Sequence, residues 1–276
     1  MELELTADGS YTLFVPELNE HYHSVKGALT EAQHIFIDMA LRHSRVESPH
    51  ILEIGFGTGL NCLLSALEAQ NSHRCIHYTG IERYPLSLDV LHRLDYPAIV
   101  GNDCADLYYA LHSAPWGEPT QITPYFTLLK IEADFTHYTF SPHFDIIYFD
   151  AFAPEKQPEM WTQQLFDHLY QVLNPGGILT TYCAKGVVRR MLQSAGFTVE
   201  RLPGPPGGKP GNTSDMPNEP DKRRHFRQLL IRLLFPANSA PTQPRGASCM
   251  REEAMIPAER VSAAYQNPIF KKAECC

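Results

Sequence analysis

The sequence lacks the features of several broad protein classes. It contains no apolar run long enough to cross a bilayer, and no basic segment followed by an apolar one near residue 1. We therefore expect no membrane-spanning helix, no secretory leader and a cytoplasmic location. The seven cysteines are odd in number and none forms a C-x-x-C pair. Because structural zinc sites and disulfide frameworks use paired spacing, we also expect free thiols and no bound metal.

Positive charge is scarce over most of the chain. The formal net charge is -8, and residues 1–200 contain 11 Lys and Arg against 24 Asp and Glu. Residues 201–276 have the opposite balance, with 12 basic and 7 acidic side chains. An acidic surface does not attract nucleic acid by itself, so a polyanionic partner would have to be contacted by local basic residues.

Short apolar strands alternate with amphipathic helices along the first 200 residues. Such alternation predicts an α/β fold with a mostly parallel, doubly wound sheet. A small hairpin is predicted within residues 1–20. The predicted strands are 51–54, 75–81, 126–131, 144–149, 178–182 and 197–202, and the helices are 29–42, 60–70, 85–94, 155–172 and 187–194.

Changes in composition predict three regions. Residues 1–45 are an N-terminal extension that includes a lid, and residues 46–235 are a Rossmann-like domain. Within that domain, residues 226–235 are apolar enough for a last strand or a short helix. Residues 236–276 are expected to be a poorly ordered tail, because half of the chain's 22 prolines follow residue 202.

Three glycines at alternate positions follow the strand 51–54, in the order E-x-G-x-G-x-G from Glu53 to Gly59. Glycine allows sharp turns and close ligand approach, and the helix beyond offers free N–H groups. A dinucleotide-binding loop has the order G-x-G-x-x-G, which would require a glycine where Leu60 stands. The pattern therefore favours a different nucleotide-like ligand over a dehydrogenase cofactor, and a turn without any ligand is the simplest alternative.

Acidic residues stand at the carboxyl ends of three predicted strands, where open α/β sheets bind ligands. Glu82 lies 23 residues beyond Gly59 and could accept both hydroxyls of a ribose. Asp134 could accept from the amine of adenine, a role for which Glu132 competes. Asp150 follows the apolar strand 144–149. Each of these acids could instead be a solvated or helix-capping side chain.

Several further segments resemble the MnmC-type tRNA methyltransferase family over about residues 8–208. They are Tyr22-x-Ser24-x-x-Gly27-Ala28-x-x-Glu31, Gly80-Ile81-Glu82-Arg83-Tyr84-Pro85-Leu86, Asp150-Ala151-Phe152-Ala153-Pro154-x-Lys156-x-Pro158-Glu159-Met160-Trp161 and Arg189-Arg190-x-Leu192-x-x-Ala195-Gly196-Phe197.

The resemblance implies a Rossmann-like domain that transfers a methyl group from S-adenosylmethionine to the aminomethyl nitrogen of a tRNA wobble uridine, often 2-thiolated, in the anticodon loop. The product would be 5-methylaminomethyluridine. Many members are fused to an FAD-dependent oxidase. The present sequence leaves no room for that domain, so we expect a free-standing form, coupled to a separate FAD-dependent oxidoreductase or another aminomethyl-forming enzyme.

The resemblance and the chemistry together give each candidate residue a role. Asp150 would orient the amine and accept its proton, because only an unprotonated nitrogen can attack the methyl carbon. Phe152 and Pro154 would form the wall of a uracil pocket, and Tyr22 and Ser24 would close over it. The phosphate contacts would be Lys156, Lys185, Arg189 and Arg190. The cofactor contacts would be Glu53, Gly55, Gly57, Thr58, Gly59, Asn61, Glu82, Asp134 and Asp150.

The sequence departs from the family pattern after residue 207. The family's ending resembles G-P-P-G-K-R-E-M followed by a last strand, whereas here Gly204–Gly207 leads into Gly208-Lys209-Pro210-Gly211. Either the last strand is displaced to 226–235 or the tail is unrelated. Two other functions stay open: a spermidine-synthase-like aminopropyltransferase, which shares the glycine loop and strand-end acids, and a non-catalytic protein that binds tRNA or S-adenosylmethionine.

Overall fold

A six-stranded sheet lies at the centre of the described chain, in a computed structural model that describes residues 1–101, 104–140 and 143–200. Its strand order is β6-β7-β5-β4-β8-β9. All neighbouring strands are parallel except β6 and β7. The strands are β4 (His50–Ile54), β5 (Ile76–Glu82), β6 (Thr120–Thr123), β7 (Phe126–Glu132), β8 (Phe144–Phe149) and β9 (Leu173–Thr180). The predicted fold class is confirmed.

A three-stranded antiparallel sheet precedes this central sheet, where a two-stranded hairpin is predicted. Its strands are β1 (Glu2–Leu5), β2 (Tyr11–Val15) and β3 (Glu20–His21). The Asp8 carboxylate, in the turn between β1 and β2, accepts from the N–H of Ser10 at 3.0 Å and from the N–H of Thr30 at 2.9 Å. These bonds attach the small sheet to the start of the first helix.

Helices cover both faces of the central sheet. They are α1 (Ala28–Ala32), which continues as π-helical turns over Gln33–Leu41, α2 (Leu60–Ser72), α3 (Leu88–Leu94), α4 (Tyr96–Val100), α5 (Ala105–Ser113), α6 (Gln163–Val172) and α7 (Gly186–Ala195).

The apolar core is divided into two layers by the sheet. Every residue of β8 is buried, and from Ile146 to Phe149 its side chains alternate between the layers, as the period of a strand requires. Ile146 and Tyr148 pack with α1, α2 and α5, whereas Ile147 and Phe149 pack with α6 and α7. Strands buried on both faces are typical of parallel sheets. Because β8 lies between β4 and β9, its carboxyl end stands beside that of β4.

Two predicted elements are wrong in the described chain. Residues 197–200 are not a strand, because α7 ends at Gly196 with φ 111° and the ring of Phe197 then packs on Tyr170 at 5.1 Å. The helix predicted to begin at residue 155 begins at Gln163, after Thr162, whose hydroxyl accepts from the N–H of Leu165. The preceding residues form an irregular segment with a short 3₁₀ turn over Pro158–Met160.

Other predicted elements differ from the observed ones in length, and some fall on residues outside the described ranges. The strand predicted at 178–182 is β9, which begins at Leu173. Cys62, Cys104 and Cys183 are free thiols, as expected. The predicted last strand at 226–235, the tail and the boundary between them lie outside the described residues.

None of the helices in the described ranges has the length and apolar character needed to cross a bilayer.

Candidate active site

A cavity of about 1480 Å³ opens at the carboxyl ends of β4, β5, β7 and β8. Most of the predicted site residues line it, although they come from distant parts of the sequence. They are Tyr22, Ser24, Gly55, Gly57, Thr58, Asn61, Glu82, Asp134, Asp150, Phe152, Pro154, Lys156 and Lys185. Glu53, Gly59, Arg189 and Arg190 are not on the cavity wall.

The glycine loop between β4 and α2 is packed too closely for side chains. Gly55 has φ 87°, and a Cβ there would lie 2.7 Å from the backbone carbonyl oxygen of Asp150. Gly57 has φ 48°, and its Cβ would lie 3.2 Å from the ring of Tyr22. Glycine is therefore required both by the left-handed backbone and by the close neighbours. The loop brings its backbone to the cavity beside Asp150.

Glu82, at the end of β5, is held by two backbone donors. Its Oε2 accepts from the N–H of Gly57 at 3.0 Å, and its Oε1 accepts from the N–H of Tyr84 at 2.8 Å. Each carboxylate oxygen has a second lone-pair direction, so both can still accept from a ligand hydroxyl. The side chain is thus oriented towards the cavity and has acceptor capacity left.

Asp134 is fixed in the ionised form just beyond β7. Its Oδ1 accepts from the N–H and hydroxyl of Thr136 at 2.9 and 2.7 Å, and its Oδ2 pairs with the Arg83 guanidinium at 2.8 Å. The hydrogen bonds from Thr136, with a smaller effect from Arg83, lower the pKa of Asp134. The competing Glu132 is exposed and does not line the cavity, so the geometry favours Asp134 as the acceptor at this position.

Asn61 links two carboxyl groups at the centre of the site. Its side-chain N–H₂ donates to Glu53 Oε1 at 2.9 Å and to Asp150 Oδ2 at 2.8 Å. Glu53 is only 1% exposed, and burial raises its pKa well above the ordinary value. Burial also raises the pKa of Asp150 to about 7, although the hydrogen bond from Asn61 opposes the shift. Asp150 can therefore exchange a proton near neutral pH, whereas burial favours the neutral form of Glu53 behind Asn61.

The segment before α1 covers the glycine loop. The Tyr22 ring meets the Phe152 ring edge to face, with 5.1 Å between centroids. His23 Nε2 lies 2.8 Å from the Thr58 hydroxyl, and burial lowers the pKa of His23 to about 4. A neutral imidazole therefore joins the N-terminal segment to the loop. The loop of Tyr22, His23 and Ser24 is expected from the sequence to close over a ligand, but no local pattern predicts the contact between His23 and Thr58.

The predicted basic residues divide into two groups. Lys156 and Lys185 stand at the rim of the cavity, where Lys185 is paired with Glu155. Arg189 and Arg190 lie on α7 away from the cavity wall. Arg190 is exposed, while the Nε atom of Arg189 is buried and makes no hydrogen bond within the described residues. Only the two lysines are adjacent to the predicted site.

Comparisons with known proteins show a family and several relatives to which the chain is similar. Residues 127–215 match a family described as S-adenosyl-L-methionine-dependent methyltransferase. The chain is 31% identical over 217 residues to the tRNA 5-methylaminomethyl-2-thiouridine biosynthesis bifunctional protein MnmC of Cupriavidus metallidurans, covering 72% of this chain and 31% of the relative. It is 34% identical over 200 residues to the protein of the same name from Pseudomonas fluorescens, covering 66% and 30%. The chain thus spans about a third of the length of these curated relatives.

A solved structure shares the fold. The crystal structure of MNMC2 from Aquifex aeolicus superimposes with a TM-score of 0.61 and 22% sequence identity, covering 88% of this chain and 72% of that one. At this identity the likeness concerns the fold alone.

Proposed function

The chain belongs to the MnmC-type family of S-adenosyl-L-methionine-dependent methyltransferases, and we propose that it methylates the aminomethyl nitrogen of 5-aminomethyluridine, or its 2-thio form, at the tRNA wobble position. The observation that carries this proposal is the position of Asp150. This carboxylate lies in one cavity with the glycine loop and Glu82, and its pKa is near 7.

The proposed reaction needs one base and careful alignment. The substrate amine is an ammonium at neutral pH, and it passes a proton to the Asp150 carboxylate. The nitrogen–methyl bond then forms as the sulfur–methyl bond breaks, which leaves S-adenosylhomocysteine and the methylated amine. Because the displacement is in line, the main contribution of the protein is to hold the lone pair and the methyl carbon together.

The cofactor is S-adenosylmethionine, and we propose a contact for each of its parts. Glu82 would accept from the ribose hydroxyls and Asp134 from the adenine amine. The glycine loop, Thr58, Asn61 and Asp150 would hold the methionine part. Glu53 acts through Asn61 and not by direct contact, since it lies behind that side chain.

For the tRNA, we propose that Phe152 stacks on the splayed wobble base, with Pro154 and Tyr22 as the other walls. Anticodon loops present unstacked bases that aromatic side chains can bind. Lys156 and Lys185 contact phosphates at the rim. Residues 1–45 act as a lid over this site. An FAD-dependent oxidoreductase or another aminomethyl-forming enzyme supplies the amine, in the cytoplasm.

The first test is methyl transfer from labelled S-adenosylmethionine to tRNA that carries 5-aminomethyluridine and then to the same tRNA with unmodified uridine, followed by mass spectrometry of the nucleosides. A separate assay measures aminopropyl transfer from decarboxylated S-adenosylmethionine to putrescine, with spermidine as the product. We expect label only in the first tRNA, as 5-methylaminomethyluridine. Transfer to putrescine would instead support the aminopropyltransferase, and cofactor binding without any product would support a non-catalytic binding protein.

A further inference from the structure

The backbone just after Asp150 lies outside the sheet, but its polar groups are hydrogen-bonded within the protein. The N–H of Asp150 still donates to the Ile54 carbonyl at 2.9 Å, and the next residues are held by side chains. The N–H of Phe152 donates to Gln157 Oε1 at 3.1 Å, and the carbonyl of Phe152 accepts from the indole N–H of Trp161 at 2.7 Å. Both backbone polar groups of one residue are thus bound by two side chains from the same downstream segment.

Trp161 is itself fixed by the core. It is 5% exposed, and its ring lies edge to face against Phe149 at 4.9 Å and Phe166 at 6.3 Å. It is not on the wall of the cavity. Since packing on this scale restricts a side chain to one rotamer, the indole N–H is a rigid donor whose position is set by β8 and α6.

The clamped residue is the one whose ring faces the N-terminal segment. Phe152 contacts Tyr22, and Tyr22 in turn lies against Gly57 of the glycine loop. A shift of the Phe152 peptide would therefore move both aromatic walls of the cavity, together with the chain that follows Asp150. Irregular backbone can hold such a position only when its polar groups are satisfied, which is what the two side chains achieve.

We propose that Trp161 and Gln157 are positioning residues for methyl transfer, which clamp the backbone of Phe152 and so fix its ring against the wobble base. This inference rests on the proposed function above. It explains why an aromatic residue that touches no part of the cavity belongs to the segment that begins at Asp150. Trp161 does not line the cavity, whereas Gln157 does, with its Oε1 accepting from the N–H of Phe152.

The test compares four variants. Trp161→Phe keeps the packed ring and removes the N–H donor, and Gln157→Leu removes the acceptor at similar size. Gln157→Glu keeps an acceptor oxygen and is the rescue. Trp116→Phe is the matched control, because it changes the chain's other tryptophan, which does not line the candidate active-site cavity. Kinetics with tRNA carrying 5-aminomethyluridine, cofactor affinity by calorimetry and melting temperature are measured for each.

We expect Trp161→Phe and Gln157→Leu to lower kcat/KM for the tRNA by about ten- to a hundredfold, the loss that follows from a misplacement of about 1 Å. Cofactor affinity should stay within about threefold, and Gln157→Glu should keep most of the activity. Loss of cofactor affinity in step with kcat/KM would indicate general damage and overturn the positioning role. Full activity in both Trp161→Phe and Gln157→Leu would overturn it as well.

A second readout separates this inference from the proposed function. In nitrogen-15 spectra the Trp161 indole signal, assigned by its loss in Trp161→Phe, should exchange slowly with solvent because it is hydrogen-bonded and buried. Fast exchange would overturn the clamp even if the enzyme methylates tRNA. If the wild-type protein methylates no tRNA while the indole is protected, the proposed function fails and the role in methyl transfer falls with it.

Discussion

At the scale of single residues, the site depends on one carboxylate in an unfavourable position. Burial raises the pKa of Asp150 to about 7 from an ordinary value of 3.8, and the donor from Asn61 offsets only part of this. A carboxylate with a much lower pKa would be too weak a base to take a proton from an ammonium. A carboxyl group with a much higher pKa would already be protonated and could not accept one. The same burial that raises the pKa of the proposed base must also cost stability.

That cost gives the first prediction, for Asp150→Asn. Between about pH 4 and pH 7 the folded wild-type protein holds a proton that the unfolded chain has released, so its stability falls as pH rises through this window. The neutral amide of the variant removes the cost of burying a charged carboxylate. At pH 8 we expect the variant to be more stable than the wild type by about 1–2 kcal/mol, after allowance for solvent in the cavity, and so to melt a few degrees higher. At pH 4 the difference in melting temperature should be much smaller. Melting curves at both pH values measure it, and an equal shift at both would contradict the assigned pKa.

Asn61 illustrates what sequence reasoning can and cannot reach at this scale. Its place after the third glycine predicts a cofactor contact. Its bridge between Glu53 and Asp150 joins residues 8 and 89 positions away, which no local pattern encodes. For the same reason the burial of Glu53 behind Asn61 could not be predicted, although its place before the glycine loop could.

At the scale of elements, the glycine loop connects β4 to the chain that follows β8. The Cβ that an alanine would add at Gly55 falls on the backbone of Asp150, which cannot move independently of the sheet. Gly117 has nearly the same φ, 84° against 87°, yet nothing lies within 4 Å of its Cβ. Comparing alanine substitutions at the two glycines therefore separates the cost of the left-handed backbone from the cost of the steric clash.

The second prediction follows from this pair. Both Gly55→Ala and Gly117→Ala should cost about 1 kcal/mol for the left-handed backbone, and Gly55→Ala should cost about 1–3 kcal/mol more because the backbone of Asp150 must shift. Only Gly55→Ala should also lower kcat. Chemical denaturation and steady-state kinetics provide the comparison, and equal losses in both variants would show that the close approach has no consequence.

Elements whose boundaries depend on local pattern were predictable, and the others were not. The strand and turn at 51–59 follow from an apolar run and alternate glycines. The predicted strand at 197–202 was wrong over its described part because Phe197 buries its ring beyond a glycine helix end, which gives the same apolar signal. The helix predicted from residue 155 was wrong at its start, since Pro158 and the Thr162 cap delay it until Gln163.

At the scale of the whole molecule, the proposed function requires an acidic protein to bind a polyanion. The formal net charge is -8, so the proposed tRNA affinity must come from a few basic residues near the site. Lys156 stands at the cavity rim, whereas Arg45 is exposed just before β4, at the opposite edge of the sheet. These two residues distinguish a local contact from a general effect of charge.

The third prediction concerns salt. Lys156→Ala should raise the Kd for tRNA a few-fold and reduce the slope of log Kd against log salt by somewhat less than one unit, since one phosphate contact is lost. Arg45→Ala should change neither by a comparable amount. Filter binding at several salt concentrations measures both, and identical slopes for Lys156→Ala and wild type would remove Lys156 from the interface.

The measurement that tests the account most directly is the rate of methyl transfer in a single turnover, with cofactor and 5-aminomethyluridine tRNA saturating, for wild type and Asp150→Asn. Because the variant should fold at least as well as wild type, a lost rate cannot be assigned to unfolding. We predict a rate about 10²- to 10⁴-fold lower in the variant, with both ligands still bound. A variant that transfers the methyl group within a few-fold of the wild-type rate would contradict the role of Asp150 as the base.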